Sequence, residues 1–404
     1  MYLKLGMVGI MAMTGASAHG STGKATTSAV SNPIVITQGG TYSGTWRSDD
    51  PKVPAVTIKT DEPVILQDSV ITSRGDLIVV SGVKTGANVT VENVTGTALD
   101  PGVSGQERGS FLKASNVASL VVKNDTMTGV LFGIKVWNSQ PAKLEILNNL
   151  ATDLEDRASD GNGGFLASRP ALGHFVILNG VSAASGAEIA WNKVVQTIGQ
   201  TSTEDVINIY ESQGTAAHPI EVHDNYMEGN SSPVVNKHYT GAGLISDGPG
   251  TNGASPTAYV VFSDNQVVAT PGNGIAIAAG HDITATNNRI VSCGITANGA
   301  WYAFGAQAVA VWNYYGTNPF YNNTVTGTTG GMVGPNSAGQ PAPFDLWFNA
   351  SDMQAPGNSV AGNDFTDPCL TSDGVNLQAE DDERTFWAQK IAAAGEAIGD
   401  QHLN

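Results

Sequence analysis

Positive charge is scarce in this chain: 19 Lys and Arg stand against 36 Asp and Glu in 404 residues, a formal net charge of −17. A surface of that sign is a poor partner for nucleic acid or an anionic membrane. Cysteine is nearly absent. Cys293 and Cys369 are the only two, and neither has the neighbours of a zinc site or a catalytic thiol. They could bridge in an oxidising compartment or sit as small apolar residues; sequence leaves both open, because it does not give the Cα separation. Long apolar runs are missing too: after Leu5 to Met13 none approaches membrane-spanning length. Amphipathic helical patterning is nearly absent before residue 376. What the chain has instead is glycine, 48 residues of it, with abundant Thr, Ser, Asn and Val. That mixture is β-rich and turn-rich.

An asparagine recurs after short β-branched runs. Val89 to Asn93, Leu120 to Asn124, Leu144 to Asn148 and Ile189 to Asn192 are the first instances. Ile220 to Asn225, Val260 to Asn265, Ile283 to Asn288 and Phe320 to Asn323 follow, and the Asn positions lie 31, 24, 44, 33, 40, 23 and 35 residues apart. A short base period with insertions of varying length marks a solenoid, in which each coil buries its inner side chains against its neighbours. The asparagines are then a stacked ladder at bends, where Asn tolerates left-handed backbone and bonds the Asn of the next coil. They are not a site.

The ends fit this reading. Lys4, the apolar run to Met13 and Ala16-Ser17-Ala18 form a secretion signal over residues 1–18, and residues 19–32 read as a flexible lead-in. The chain is therefore expected to be secreted or periplasmic, and monomeric. Loss of residues 1–18 removes Lys4 and no acid, leaving 18 basic against 36 acidic residues. Val35 to Val80, with Trp46 among its turns, would start the coil stack and seal it. One domain of coils is expected over 33–375, then a capping helix and tail over 376–404. That helix is expected from Asp382 to Ile398, with Phe386, Trp387, Ile391, Ala394 and Ile398 on its apolar face and Gly399 as its stop. It would fold over the last coil.

The repeated Asn-Asn strands, the secretion signal and the phrase Gly274-Ile275-Ala276-Ile277-Ala278 resemble the pectate-lyase-like superfamily. The resemblance covers residues 33–375 and lies in the repeat pattern. It implies an all-β fold, a single-stranded right-handed parallel β-helix closed by the C-terminal helix. It also implies action on acidic polysaccharides, although no catalytic signature of the superfamily's lyases, polygalacturonases or epimerases stands in the chain.

A second strand family aligns by its inward apolar pairs: Ile134/Val136, Val176/Leu178, Ile207/Ile209, Leu244/Ser246, Ile275/Ile277, Val309/Val311 and Leu346/Phe348. Alternation then turns Lys135, Trp137, Asn179, Asn208, Tyr210, Asp247, Trp312 and Trp347 outward on one strip. Glu211, His281 and Tyr314 lie just past the strand ends. Flat rings stack on sugar faces and amides bind hydroxyls, so the strip suits an extended polysaccharide better than a small ligand. The competing expectation is that loops 150–172 and 227–256 bury these aromatics as a secondary core.

Two chemistries are available there. A lyase would use Tyr210, Lys237, His238 or His281 to remove a proton beside a uronic carboxylate while a cation stabilises the enolate. A glycoside hydrolase would pair Glu211 with Asp247. A binding protein without chemistry would need only the aromatics. Lys135, Trp137, Asn179, Asn208, Trp312, Tyr314 and Trp347 are the candidate substrate contacts, with Arg169 as a further carboxylate ligand. His174 and His223 read as structural. No metal or other cofactor is expected. The Ca²⁺ alternative is the acidic loop of Asp153, Glu155, Asp156, Asp160 and Asn162. The negative charge repels dense polyuronates unless Ca²⁺ or a local Lys/Arg cluster intervenes, which favours a neutral or sparsely acidic chain.

Overall fold

The structure is a computed structural model that describes residues 30–402, except 167–171, 202, 231–240, 251–254, 297, 303–305 and 317–318. Residues 1–18 and nearly all of 19–32 therefore lie outside the described residues.

Short β-branched strands pair in parallel with the equivalent strand of the next coil, and the chain rises as a right-handed parallel β-helix of three faces. The first face is an 11-stranded sheet running from Ile34–Ile36 to Leu346–Phe348. The register of its strands is the one that alternation requires: Ile134 pairs Val176, which pairs Ile207, then Leu244, Ile275, Val309 and Leu346. These inward residues from Ile134 to Val309 are fully buried in one continuous core. Leu346 and Phe348 keep the register, but Phe348 is exposed at the end of the stack.

Between the second and third faces each coil bends at two residues. The first is left-handed, as at Asn93, Asn124, Asn148, Asp224, Asp264 and Asn287, with φ between 54° and 59°. The second points inward and forms the ladder. Asn149 donates Nδ2 to Asn192 Oδ1 at 2.9 Å, Asn192 to Asn225 at 2.9 Å, Asn225 to Asn265 at 2.9 Å and Asn265 to Asn288 at 3.0 Å. Each also caps a backbone carbonyl, which satisfies polar groups that the bend strips of strand partners. Asn93, Asn124 and Asn148 thus sit one residue before the ladder level, and Asn323 is a further correction to the repeat. It lies at a different corner, where its Oδ1 accepts from Ile283 N, and Thr328 occupies the ladder level after Asn288. Insertions move the coil phase by that point, so a spacing of 35 residues did not preserve position.

Coils approach so closely that some positions admit no side chain. A Cβ on Gly109 would lie 1.7 Å from Gly75 O. At the start of the stack Trp46 is buried and Ser31 bridges to it, sealing the first coil.

The helix spans Gln378–Ala394 and ends at Gly395, whose left-handed φ of 74° lets its N–H reach back to Ile391 and Ala392 carbonyls. It starts and stops four residues earlier than the apolar spacing implies. Phe386 is exposed, whereas Trp387 is buried against Tyr226. The helix closes the solenoid as a strap along the third face rather than over the last coil. Glu383 bonds Arg289 and Gln266, Arg384 pairs Glu228, and Lys390 pairs Asp224. The tail continues toward the first coils, where Asn148 Nδ2 donates to Glu396 and Asp400 accepts from Thr95 Oγ1. Cys293 and Cys369 form a disulfide with Cα atoms 5.1 Å apart, pinning the lead into this helix to a late coil.

Candidate functional site

The outward side of the first face carries two rows. One runs Lys113, Lys135, Ile177, Asn208, Ile245, Ala276, Ala310 and Trp347; the other runs Ser115, Trp137, Asn179, Tyr210 and Asp247. Strand pairing sets neighbours in a row about 4.8 Å apart. The two rows differ in access. In the first row Ile177, Ile245, Ala276 and Ala310 are buried. Trp312 covers part of it, packing on Ile245, Ala276 and Ala278 in a small apolar cluster on the face itself. The second row stays partly open. Trp347, Tyr314 and Tyr315 are exposed and meet edge to face: Trp312 lies 5.6 Å from Trp347 and 6.1 Å from Tyr314 between ring centroids.

At the other end Lys113, Lys135, Trp137, Asn138 and Asn179 line a groove of about 340 Å³. Asn179 continues into an adjoining depression of about 390 Å³ that reaches Glu211, Gln213 and Ser255. A wider depression of about 460 Å³ lies on the second face around the stacked row Glu145, Glu188 and Glu221. Three carboxylates in register repel an acidic chain, so that surface is the weaker candidate despite its size.

Lys113 is the residue that alignment from Ile134 onward misses. The strand Leu112–Ser115 alternates like the others, and this was its only signal. Lys113 Nζ pairs Asp76 at 3.0 Å. Lys135 lies beside it in register, its Nζ 4.5 Å from the centre of the Phe132 ring. Burial, then the neighbouring Lys113 charge, hold the Lys135 ammonium below the ordinary lysine value, with Asp76 opposing.

At the centre, Tyr210 is level with Asn179 on one side and Asp247 on the other. Burial, then Glu211 and Asp247, raise the Tyr210 phenol above its ordinary range. Asp247 accepts from Tyr315 OH at 2.8 Å and from Gly248 N at 2.8 Å on Oδ1, and from Asn208 Nδ2 at 3.4 Å on Oδ2. Glu211 stands in left-handed backbone at φ 47° and accepts from Gly250 N at 3.1 Å. Both carboxylates thus accept hydrogen bonds in this arrangement. Tyr315 was not among the expected residues; it reaches Asp247 from 68 positions away in sequence.

Several expectations need correction. Asn208 is buried, and its amide donates to Asp205 Oδ2 at 3.0 Å as well as to Asp247, so it belongs to the floor and is closed to direct contact. His281 has turned the corner onto the second face, where it pairs Ala258, bonds Asp282 at 2.6 Å and stacks on Tyr321. It does not join Tyr210 and Asp247. The acidic loop uses its carboxylates internally: Asp153 accepts from Thr197 N, Glu155 from the Arg157 guanidinium, and Asp160 from Asn162 N and Gly164 N. Lys237, His238 and Arg169 lie outside the described residues.

His174, read from sequence as structural, lies at the floor of the strip beside Glu204 and Asp205. It is buried and stacked on Phe132. Burial pushes its pKa down to about 3 and, on Asp205, pushes the carboxyl well above the carboxylate range, with Glu204 and Asp247 adding repulsion.

No protein-family model matches the sequence, and no curated protein matches it. Among solved structures the chain is similar to a mannuronic-acid-specific family 6 polysaccharide lyase from the human gut microbiota. Identity is 12%, coverage 92% of this chain and 90% of that one, and the TM-score 0.33. It is also similar to an alginate lyase solved in complex with a ligand named G6, at 16% identity, 83% and 81% coverage and a TM-score of 0.26. A family 6 polysaccharide lyase from Pseudopedobacter saltans follows at 12% identity, 86% and 92% coverage and a TM-score of 0.24.

Proposed function

We propose that this protein is an exported polysaccharide lyase that cleaves a uronic-acid-containing chain by β-elimination along the outward side of the first face. The observation that carries the reading is the Lys113–Lys135 pair. In a chain of net charge −17 two lysines stand side by side in register, Lys113 held by Asp76, next to Trp137 and Asn179 in a groove. That is the local cation cluster an acidic polymer needs to approach so negative a protein.

The roles follow from the environments. Lys113 and Asn179 hold the uronic carboxylate, drawing charge off C5 as the enolate develops. Lys135, with its ammonium destabilised, is the base that takes the C5 proton. The electron pair forms the C4–C5 double bond, the C4–O4 bond breaks, and Tyr210 gives its proton to the departing oxygen. A phenol whose proton is held tightly at neutral pH is available as a donor. Trp137 on one side and Trp312, Tyr314 and Trp347 on the other supply stacking surfaces for flanking sugars. Lys237 and His238 remain candidates for the base in the same reading.

The hydrolase alternative would instead pair Glu211 with Asp247 as its two carboxyl groups. The roles are tested by single-turnover rates with an acidic exopolysaccharide. Tyr210→Phe and Lys135→Ala are each expected to slow product formation about 10²–10⁴-fold with binding retained. Unchanged rates in both variants would remove these residues from the chemistry.

A further inference from the structure

His174, Glu204 and Asp205 come from adjacent coils of the first face, and one ligand-type atom of each lies within 4.8 Å of the others. His174 Nδ1 is 3.1 Å from the Asp205 backbone carbonyl oxygen. A carbonyl only accepts, so Nδ1 carries the hydrogen and the Nε2 lone pair is the ring's remaining position. Nε2 faces a Glu204 carboxylate oxygen at 3.6 Å. Asp205 is 1% exposed; its Oδ2 accepts from Asn208, but its Oδ1 finds no hydrogen-bond partner. Asn208, 2% exposed, also leaves Oδ1 without a partner. Two buried acceptor oxygens, Asp205 Oδ1 and Asn208 Oδ1, are thus left without donors, and buried polar atoms in that condition are costly.

A cation resolves the arrangement. Lys135 Nζ lies over the Phe132 ring, 4.5 Å from its centre, and Phe132 in turn stacks on the imidazole. One imidazole nitrogen with carboxylate oxygens is a borderline donor set, suited to Zn²⁺ or Mn²⁺, whereas Ca²⁺ takes oxygen alone. The carbonyl on Nδ1 fixes the ring in the tautomer that presents Nε2, as outer partners of metal-binding histidines do. We propose that His174, Glu204 and Asp205 bind one divalent cation of the zinc and manganese class beneath the strip. The site needs no lyase activity to be real, so it stands apart from the reading above.

The test is equilibrium dialysis of the full chain, first stripped with EDTA, against Zn²⁺ alone, Mn²⁺ alone and Ca²⁺ alone, with bound metal counted per chain. One Zn²⁺ or Mn²⁺ per chain is expected, weakened about tenfold or more by Glu204→Gln and by Asp205→Asn. Glu221→Gln, on another face, is expected to bind as the parent does. Glu204 is the least buried ligand, so its variant serves where Asp205→Asn fails to fold, with circular dichroism as the check. Absence of stoichiometric binding, or binding indifferent to the ligand variants, would overturn the site; tighter binding of Ca²⁺ would overturn the metal class.

Discussion

Lys135 and Tyr210 are displaced in opposite directions, the ammonium downward and the phenol upward. A base must be deprotonated and an acid protonated, so the rate rises as pH climbs through the Lys135 pKa and falls only above that of Tyr210. Because the lysine lies below its ordinary value, the rising limb precedes the usual lysine range; because the tyrosine lies above its own, the falling limb is late. An alkaline plateau is expected in kcat/KM. Lys113 is one of the groups that lower Lys135, so Lys113→Met is expected to move the rising limb to higher pH, as a pH–rate profile would show. A limb that stays in place would dissociate Lys135 from it.

At the scale of elements, the Asn bends and the first-face register were legible, because each rests on a local rule. Asn225 combines a preceding left-handed Asp224 with an amide that bonds both neighbouring coils, and alternation in Asp205–Tyr210 assigns its faces. The strap was legible only in part. Its buried side includes Glu380 and Glu383, which bond Cys293 N and Arg289, so an apolar stripe alone misplaces its ends. His174 and Asp205 escaped for a different reason: they meet across 31 residues through coils of unequal insertion, and no spacing rule pairs them. The disulfide ties the lead into the strap to the stack across 76 residues. Its removal by Cys293→Ala with Cys369→Ala is expected to cost about 2–4 kcal/mol in urea unfolding. No change would mean that the strap alone holds this segment.

At the scale of the whole molecule, a negatively charged chain carries a lysine-lined groove on its first face and, among the described residues, a row of exposed rings further along the same face. Among the described residues no helix is long and apolar enough to cross a membrane. In the proposed reading a polymer lies across the coils, with its acidic sugar at the lysine end. The most direct measurement is incubation of the purified protein with a panel of acidic exopolysaccharides, following the ultraviolet absorbance of unsaturated uronate together with new reducing ends. The account predicts that both rise together on a sparsely acidic chain. Reducing ends without the absorbance would contradict elimination and move the chemistry to Glu211 and Asp247, and binding without either signal would leave a recognition protein.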